Sequence, residues 1–225
     1  AEILQRHLAD GRTDRLDWEA YLAAGSAVLA YGRRDSTALA PAVGGIEAST
    51  DPVVRGWSLM RDAVAAYFAG DAGRGADMTA DAVESIAGLG KTTEDLPLAY
   101  GLAVDMAIDA GERGRLEALT STLEEVPVGQ RFRLLHGQLL RARAHLSAEP
   151  APGLRAAVDV FAAMGAAYPA SVVRVELAAR LADDGEARAA TDVLANARPL
   201  LERIGALPAL AKADRVAAAL TPAAP

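Results

Sequence analysis

The feature that most constrains this chain is a spaced pattern of leucine, alanine and glycine in its last third. The positions are Leu177, Ala178, Leu181, Gly185, Ala190, Leu194 and Ala197. This spacing predicts two antiparallel helices that meet at a glycine turn, with small residues where the helices touch. One such pair cannot bury its apolar side alone, so the pattern predicts several pairs stacked against one another.

Glycines recur along the chain with a period slightly under 40 residues. Two sets mark this period: Gly70, Gly111 and Gly185 form the first, and Gly90, Gly165 and Gly205 form the second. The intervals are 41 and 74 residues in the first set and 75 and 40 in the second. Because two separate sets share one period, we interpret the chain as a repeat of helix pairs.

Apolar residues at helical spacing, interrupted by Gly, Pro and Asp, predict helices and no strand. The predicted helices are 2–9, 15–31, 36–48, 52–69, 73–88, 95–110, 113–125, 130–147, 153–165, 169–183, 186–204 and 207–220. We therefore expect an all-α fold in one domain, 1–225: a right-handed solenoid of about five stacked pairs and a capping helix. The aromatic residues expected to fill gaps between helices are Tyr21, Trp57, Tyr67, Tyr100, Phe132 and Phe161.

The pattern resembles the tetratricopeptide repeat, most closely over 177–197. A weaker copy has Ala63, Val64, Tyr67, Asp71, Ala76, Ala80 and Val83. The longer unit, over 160–216, is similar to the helical repeat regions of large bacterial signalling proteins, namely ATPase-type LuxR/MalT-like transcription regulators and ATPase-linked nucleotide cyclases. The resemblance implies a groove lined by the first helix of each pair, and a role in protein contacts.

Composition excludes several classes of function. The net charge of −7 disfavours nucleic acid as a ligand, and the absence of cysteine excludes disulfides and thiolate metal sites. No apolar run reaches the ~18 residues of a membrane span, and no signal segment is present. We therefore expect a cytoplasmic protein without membrane contact. The chain begins at Ala1, without methionine, which we interpret as a segment of a longer multidomain protein.

No catalytic, cofactor or metal site is predicted. The sequence has no G-x-x-x-x-G-K-[ST] phosphate loop and no G-x-S-x-G nucleophile motif. The three histidines are His7, His136 and His145. The last two are nine residues apart, which on a helix separates them by about 180° and ~13 Å, so they cannot share a metal. We expect a protein that is not an enzyme.

The most suggestive segment is the predicted helix 130–147, which has arginines at 131, 133, 141 and 143 and no acidic residue. The residues Arg131, Gln138, Arg141 and His145 fall along one stripe and form the candidate contact for a partner or effector. In one interpretation the stripe receives an acidic segment from a partner or a neighbouring domain. In the other, the arginines pair with acids of adjacent repeats, such as Glu112, Glu117, Glu124, Glu125 or Asp159; the acidic chain favours this interpretation.

Two functions remain open. The first is a non-catalytic scaffold that binds a protein or peptide, or the flanking domains, within a bacterial signalling or transcription regulator. The second is a sensor whose groove holds a small-molecule or peptide effector, with Arg131, Arg141 and His145 as anchors for its negative charge. High apolar content also makes a homodimer plausible.

Overall fold

The structure is a computed structural model that describes residues 15–42 and 49–220 of the chain. These residues form ten α-helices and no strand, so the all-α class is confirmed for this part of the chain. The helices are α1 Arg15–Arg33, α2 Pro52–Phe68, α3 Ala72–Ala87, α4 Leu96–Ala110, α5 Arg113–Glu124, α6 Arg133–Leu146, α7 Pro150–Ala163, α8 Ala167–Asp183, α9 Ala187–Ile204 and α10 Leu207–Leu220. Short 3₁₀ turns occupy Ser36–Ala38 and Val128–Gln130.

Every one of these helices matches a predicted one, with ends that differ by three residues or fewer. Local capping explains part of this agreement. The Asp51 carboxylate accepts the Val53 N–H at 2.8 Å, and Pro52 occupies the first position of α2, where its missing N–H costs little. The predicted helix 2–9 lies outside the described residues.

The predicted helix 36–48 is wrong in the part that the structure describes, which forms only the turn Ser36–Ala38 before an extended segment. Asp35 favours the turn, because its carboxylate accepts the backbone N–H two residues ahead at 3.0 Å. Helical continuation is also disfavoured at Ala40, because a proline follows it. The rest of the predicted helix lies outside the described residues.

The chain divides into two compact units. Among the described residues, the first unit takes in 15–31, 35–42 and 49–112, and the second 32–34 and 113–220. A division by contacts leaves the expectation of one domain untested, because repeat proteins also make most contacts between neighbouring pairs.

In the first unit, α3 packs against both α2 and α4, and α2 also contacts α4. The Tyr31 hydroxyl of α1 donates to the Asp109 carboxylate of α4 at 2.6 Å. In the second unit, each helix from α5 to α10 packs against the next, and α8 also contacts α10. Whether these helices form a right-handed solenoid stays a prediction.

The glycines that mark the period all have left-handed backbone conformations. Positive φ values occur at Gly70, Gly90, Gly111, Gly165, Gly185 and Gly205. At the end of α8, the Gly185 N–H bonds the Ala182 carbonyl at 3.0 Å, and the next N–H reaches back five residues to the Leu181 carbonyl at 2.8 Å. The same five-residue bond closes four other helices: Asp71 to Ala66, Glu112 to Ala107, Ala166 to Phe161 and Ala206 to Leu201.

Two helix hairpins, α2–α3 in the first unit and α6–α7 in the second, use glycine for close approach at equivalent places. Gly56 and Gly137 are the fifth residues of α2 and α6. A Cβ at Gly56 would lie 2.5 Å from Ile86 of α3, and a Cβ at Gly137 would lie 2.5 Å from Phe161 of α7. Both distances are too short for a side chain, so each hairpin needs glycine there to pack this closely.

The second helix of each hairpin repeats the arrangement. Gly75 and Gly153 are the fourth residues of α3 and α7. A Cβ at either would lie 2.9 Å from the facing alanine, which is Ala63 of α2 or Ala144 of α6. Each of these alanines is the twelfth residue of its helix. The two hairpins therefore share three contact positions.

The aromatic residues range from fully buried to exposed, and Trp57 and Tyr67 are partly buried. Tyr100 and Phe161 are fully buried, as predicted for gap-filling side chains. Tyr21 is 48% exposed, but its ring contacts that of Trp57 in α2, with 5.2 Å between the ring centroids. The prediction is wrong for Phe132, which is 41% exposed. Phe132 precedes the first turn of α6 in an extended conformation, so its ring is not carried into the helix interface.

Candidate functional site

The candidate site forms around a buried ion pair between α6 and α8. Arg141 and Glu176 are 3% and 8% exposed. The guanidinium contacts the carboxylate with two nitrogens: Nη2 lies 2.6 Å from Oε1, and Nε lies 2.9 Å from Oε2. Two parallel bonds of this kind fix the relative orientation of both side chains.

Two further residues of α6 complete what we call the buried ionic cluster: Gln138, Arg141, His145 and Glu176. Arg141 Nη1 donates to Gln138 Oε1 at 3.4 Å. His145 Nε2 lies 3.1 Å from Glu176 Oε2, the geometry in which a protonated Nε2 donates to the carboxylate. Three of the four predicted site residues therefore meet, and the group they meet around is an acid of the same chain.

The cluster keeps Glu176 ionised. Burial alone would raise the pKa of Glu176, but the positive charge of Arg141 and the hydrogen bonds from His145 and Arg141 outweigh it, so the pKa lies well below its ordinary value. A carboxylate held in this way does not take up a proton near neutral pH. The arrangement therefore suits the joining of two helices better than acid–base chemistry.

Sequence reasoning missed Glu176, although a signal was present. Its helix, α8, is buried around most of its circumference, at Ala170, Ser171, Val173, Val175, Leu177, Ala178 and Leu181. An acid placed between Val175 and Leu177 on such a helix has no exposed side to occupy. A buried acid requires a cationic partner, and this requirement could have drawn attention to the arginines of α6.

Arg131 does not join the cluster, which corrects its predicted place on the helical stripe. The helix begins at Arg133 rather than at 130, because a 3₁₀ turn over Val128–Gln130 and an extended Phe132 precede it. Arg131 Nη2 instead donates to the Val126 carbonyl at 2.5 Å. Gly129 within the turn has a low helix propensity, which accounts for the late start.

The remaining arginines of this segment point to the opposite side of α6. Arg143 Nη2 lies 2.8 Å from Glu124 Oε1, and both side chains are about half exposed. Glu124 is one of the acids named as a candidate partner, whereas Glu176 is not. Arg133 is exposed and has no ion pair with any described residue.

Together with His136, these arginines form what we call the basic surface: Arg131, Arg133, His136 and Arg143. Burial lowers the pKa of His136 below its ordinary value, and the positive charges of Arg131 and Arg143 lower it further. Two nitrogens here, Arg131 Nε and His136 Nδ1, are buried and have no hydrogen-bond partner among the described residues. The basic surface therefore retains unused bonding capacity, unlike the buried ionic cluster.

Across the described ranges, no group of histidine, aspartate and glutamate side chains is arranged to hold a metal ion. His145 pairs with Glu176, and His136 has arginines as its charged neighbours. The third histidine, His7, lies outside the described residues. No helix in the part of the chain that the structure describes combines the length and apolarity needed to cross a membrane.

Comparison with protein-family models, with curated proteins and with solved structures gave no match. No relative therefore supplies a fold or a function for this chain, and the proposals below depend on its own geometry.

Proposed function

We propose that this chain is a tetratricopeptide-like repeat scaffold that binds a protein or peptide partner and catalyses no reaction. The observation that carries the proposal is the recurrence of one joint. Five helices end in a left-handed glycine followed by the same five-residue hydrogen bond. A glycine joint that recurs between successive helices is typical of stacked helix hairpins, whose extended surfaces bind other proteins.

The glycine contacts of the two hairpins support the repeat independently. Gly56 and Ala63 in α2 correspond to Gly137 and Ala144 in α6, 81 residues later in both cases. Two units of the glycine period span 74 or 75 residues, so the hairpins recur at two units with six or seven additional residues. Close-approach glycine and alanine at the same positions of two hairpins are expected of duplicated pairs.

The effector sensor receives less support. Its proposed anchors for a negatively charged ligand include Arg141 and His145, and Glu176 already contacts both. Displacing that carboxylate would leave a buried acid unpaired, which costs several kcal/mol. Only Arg131 of the proposed anchors remains outside the buried ionic cluster.

A role within a larger cytoplasmic regulator is part of the proposal. Its support is the likeness of the segment 160–216 to the repeat regions of bacterial signalling proteins. In such a protein the scaffold would relay contacts between a partner and the flanking domains.

Site-specific photo-crosslinking in the source organism tests the scaffold. A photoreactive residue replaces Arg143, on the exposed side of α6, or Asp192, on the exposed side of α9. We expect one protein to crosslink from the α6 position, because first helices line the groove of such repeats. The purified partner then has to form a complex of defined stoichiometry with this chain, measured by calorimetry.

Two results would contradict the proposal. One is the absence of any crosslinked protein that rebinds in purified form. The other is turnover of a small molecule by the purified chain at a rate that a single substitution abolishes.

A further inference from the structure

The basic surface lies on one side of α6, away from the buried ionic cluster. Arg133, His136 and Arg143 follow one another at intervals of three and seven residues, which places them within about 80° around the helix axis. Arg131 joins them from the preceding segment, since its charge acts on His136. The stretch 126–146, which includes all four, contains no acidic residue.

The hydrogen-bonding groups of this surface are incompletely used. Arg133 has no ion-pair partner in the ranges that the structure describes, and Arg143 has only the exposed Glu124, a pair worth little. Arg131 Nε and His136 Nδ1 are buried without a hydrogen-bond partner among the described residues, so neither side chain is fully engaged within the chain. The surface is therefore favourable for a carboxylate supplied from outside.

Two apolar side chains flank these groups. Val128 is 71% exposed and Phe132 41% exposed. Phe132 stands between Arg131 and Arg133 in the chain, so apolar and cationic groups alternate there. By contrast, Phe161 of the same unit is fully buried. A ligand that covers this region has to offer an apolar group as well as a negative charge.

We propose that the basic surface, with Phe132 and Val128, binds an acidic peptide segment that carries an apolar side chain. This inference rests on the proposed scaffold function and names the chemistry of its partner. Arginine forks bind carboxylates with two parallel bonds, and the phenyl ring covers the apolar side chain of the peptide. Duplex nucleic acid would meet a chain of net charge −7, and its stacked bases would leave the phenyl ring uncovered.

Fluorescence anisotropy of the full chain with three labelled peptides of equal length tests the chemistry. The first alternates acidic residues with leucine and phenylalanine, the second has serine at the apolar positions, and the third has lysine at the acidic positions. We expect the first to bind, the second to bind about fivefold or more weakly, and the third not to bind. Binding of the first peptide should weaken as salt rises toward about 0.15 M.

Matched variants locate the binding. Arg131→Gln with Arg133→Gln should weaken the first peptide by about tenfold or more. The control is Arg188→Gln with Arg203→Gln, which changes the net charge equally on exposed positions of α9 and should leave affinity within about twofold. Arg133→Gln alone keeps the test valid if losing the bond of Arg131 disturbs the fold.

Nuclear magnetic resonance measures the pKa of His136, which distinguishes direct binding from a general effect on structure. A carboxylate bound beside His136 raises the pKa of that histidine, opposing the effect of the arginines. We expect the imidazole titration to shift upward with the first peptide and to stay unchanged with the lysine peptide.

The inference is overturned if no acidic peptide binds, if the α9 control loses as much affinity as the test variant, or if duplex DNA displaces the peptide. Failure of the scaffold is a separate result. If a crosslinked partner binds the Arg131→Gln/Arg133→Gln variant as well as it binds the wild type, the basic surface is not its binding site, and the scaffold function stands. If the peptide binds but no partner complex can be reconstituted, the basic surface stands and the scaffold function is contradicted.

Discussion

The hairpins α2–α3 and α6–α7 have the same close-contact positions and different interiors. Both use glycine at the fifth position of the first helix and the fourth position of the second. At three other equivalent positions of the first helix the residues differ in kind: Trp57, Met60 and Val64 in α2 correspond to Gln138, Arg141 and His145 in α6. An apolar set in one hairpin is replaced by most of the buried ionic cluster in the other.

The acid of the cluster has an apolar counterpart as well. Glu176 stands nine residues before Gly185, and Leu102 stands nine residues before Gly111, in the corresponding helix of the first unit. Both are buried. The comparison teaches that the hairpin packs with either chemistry, so the fold does not require the ionic cluster. Buried ion pairs are often no more stabilising than apolar residues of similar volume.

The largest effect on stability is expected from removing one partner of the ion pair between Arg141 and Glu176. Arg141→Met gives α6 the residue that α2 has at this position and leaves Glu176 buried without its main partner. We expect the free energy of unfolding to fall by about 3–5 kcal/mol, measured by urea unfolding at neutral pH. A loss below about 1 kcal/mol would show that water reaches Glu176 readily.

Replacing both partners sharpens the comparison. Arg141→Met with Glu176→Leu installs the residues that the first unit has at these positions, and we expect most or all of the lost stability, about 3–5 kcal/mol, to return. A double-mutant cycle over the four proteins measures the coupling. If the double variant were as unstable as Arg141→Met, the two interiors would not be interchangeable.

Glycine substitutions test whether the close-contact positions of the two hairpins are equivalent. Gly137→Ala and Gly56→Ala each force a Cβ to within 2.5 Å of the facing side chain, so we expect both to lose about 1–3 kcal/mol. Gly114→Ala in α5 meets no atom within 4 Å and should gain up to about 1 kcal/mol from helix propensity. Thermal or urea unfolding of the three variants is the measurement, and a tolerated Gly137→Ala beside a damaging Gly56→Ala would break the equivalence.

Acidification should destabilise the protein with the buried ionic cluster more than the variant with an apolar interior. The pKa of Glu176 is lowered in the folded protein from an ordinary value of 4.5, so its contribution to stability is complete above that value and is lost as the pH falls below it. The wild type should therefore lose stability relative to Arg141→Met/Glu176→Leu between about pH 5 and about pH 3. Urea unfolding across this interval checks the difference, and parallel curves for the two proteins would contradict the assignment.

The smallest effect on stability is expected from removing an exposed ion pair. Arg143→Gln removes the ion pair with Glu124, in which both side chains are about half exposed. We expect a loss of about 0–1 kcal/mol that shrinks further as salt is added. A loss comparable to that of Arg141→Met would mean that the exposed and buried arginines of α6 are not distinct in their roles.

The helices and their ends could be predicted because their signals are local. Gly185 and Gly205 mark helix ends through their own backbone freedom, and Asp51 and Pro52 mark a start through a capping bond and a fixed φ. The segment 36–48 misled because its apolar residues are spaced as in a helix, whereas Asp35 and Pro41 favour a turn and an extended chain.

The site could be predicted only in part, because its partners are distant in sequence. Arg141 and Glu176 are 35 residues apart, and their pairing depends on how α6 and α8 are rotated about their own axes. Helical spacing alone placed Arg131 on the stripe with Arg141, whereas the late start of α6 removes it. Sequence periodicity predicts which residues share one side of a helix. It does not predict which side of that helix packs against another helix.

The two-bond contact between Arg141 and Glu176 also bears on how α6 and α8 can move. Sliding either helix along the other by one turn, about 5.4 Å, would separate the guanidinium from the carboxylate entirely. Apolar side chains tolerate a shear of this kind by repacking, but a forked ion pair has a single register. Any motion that passes through this region therefore has to carry the two helices together as one rigid piece.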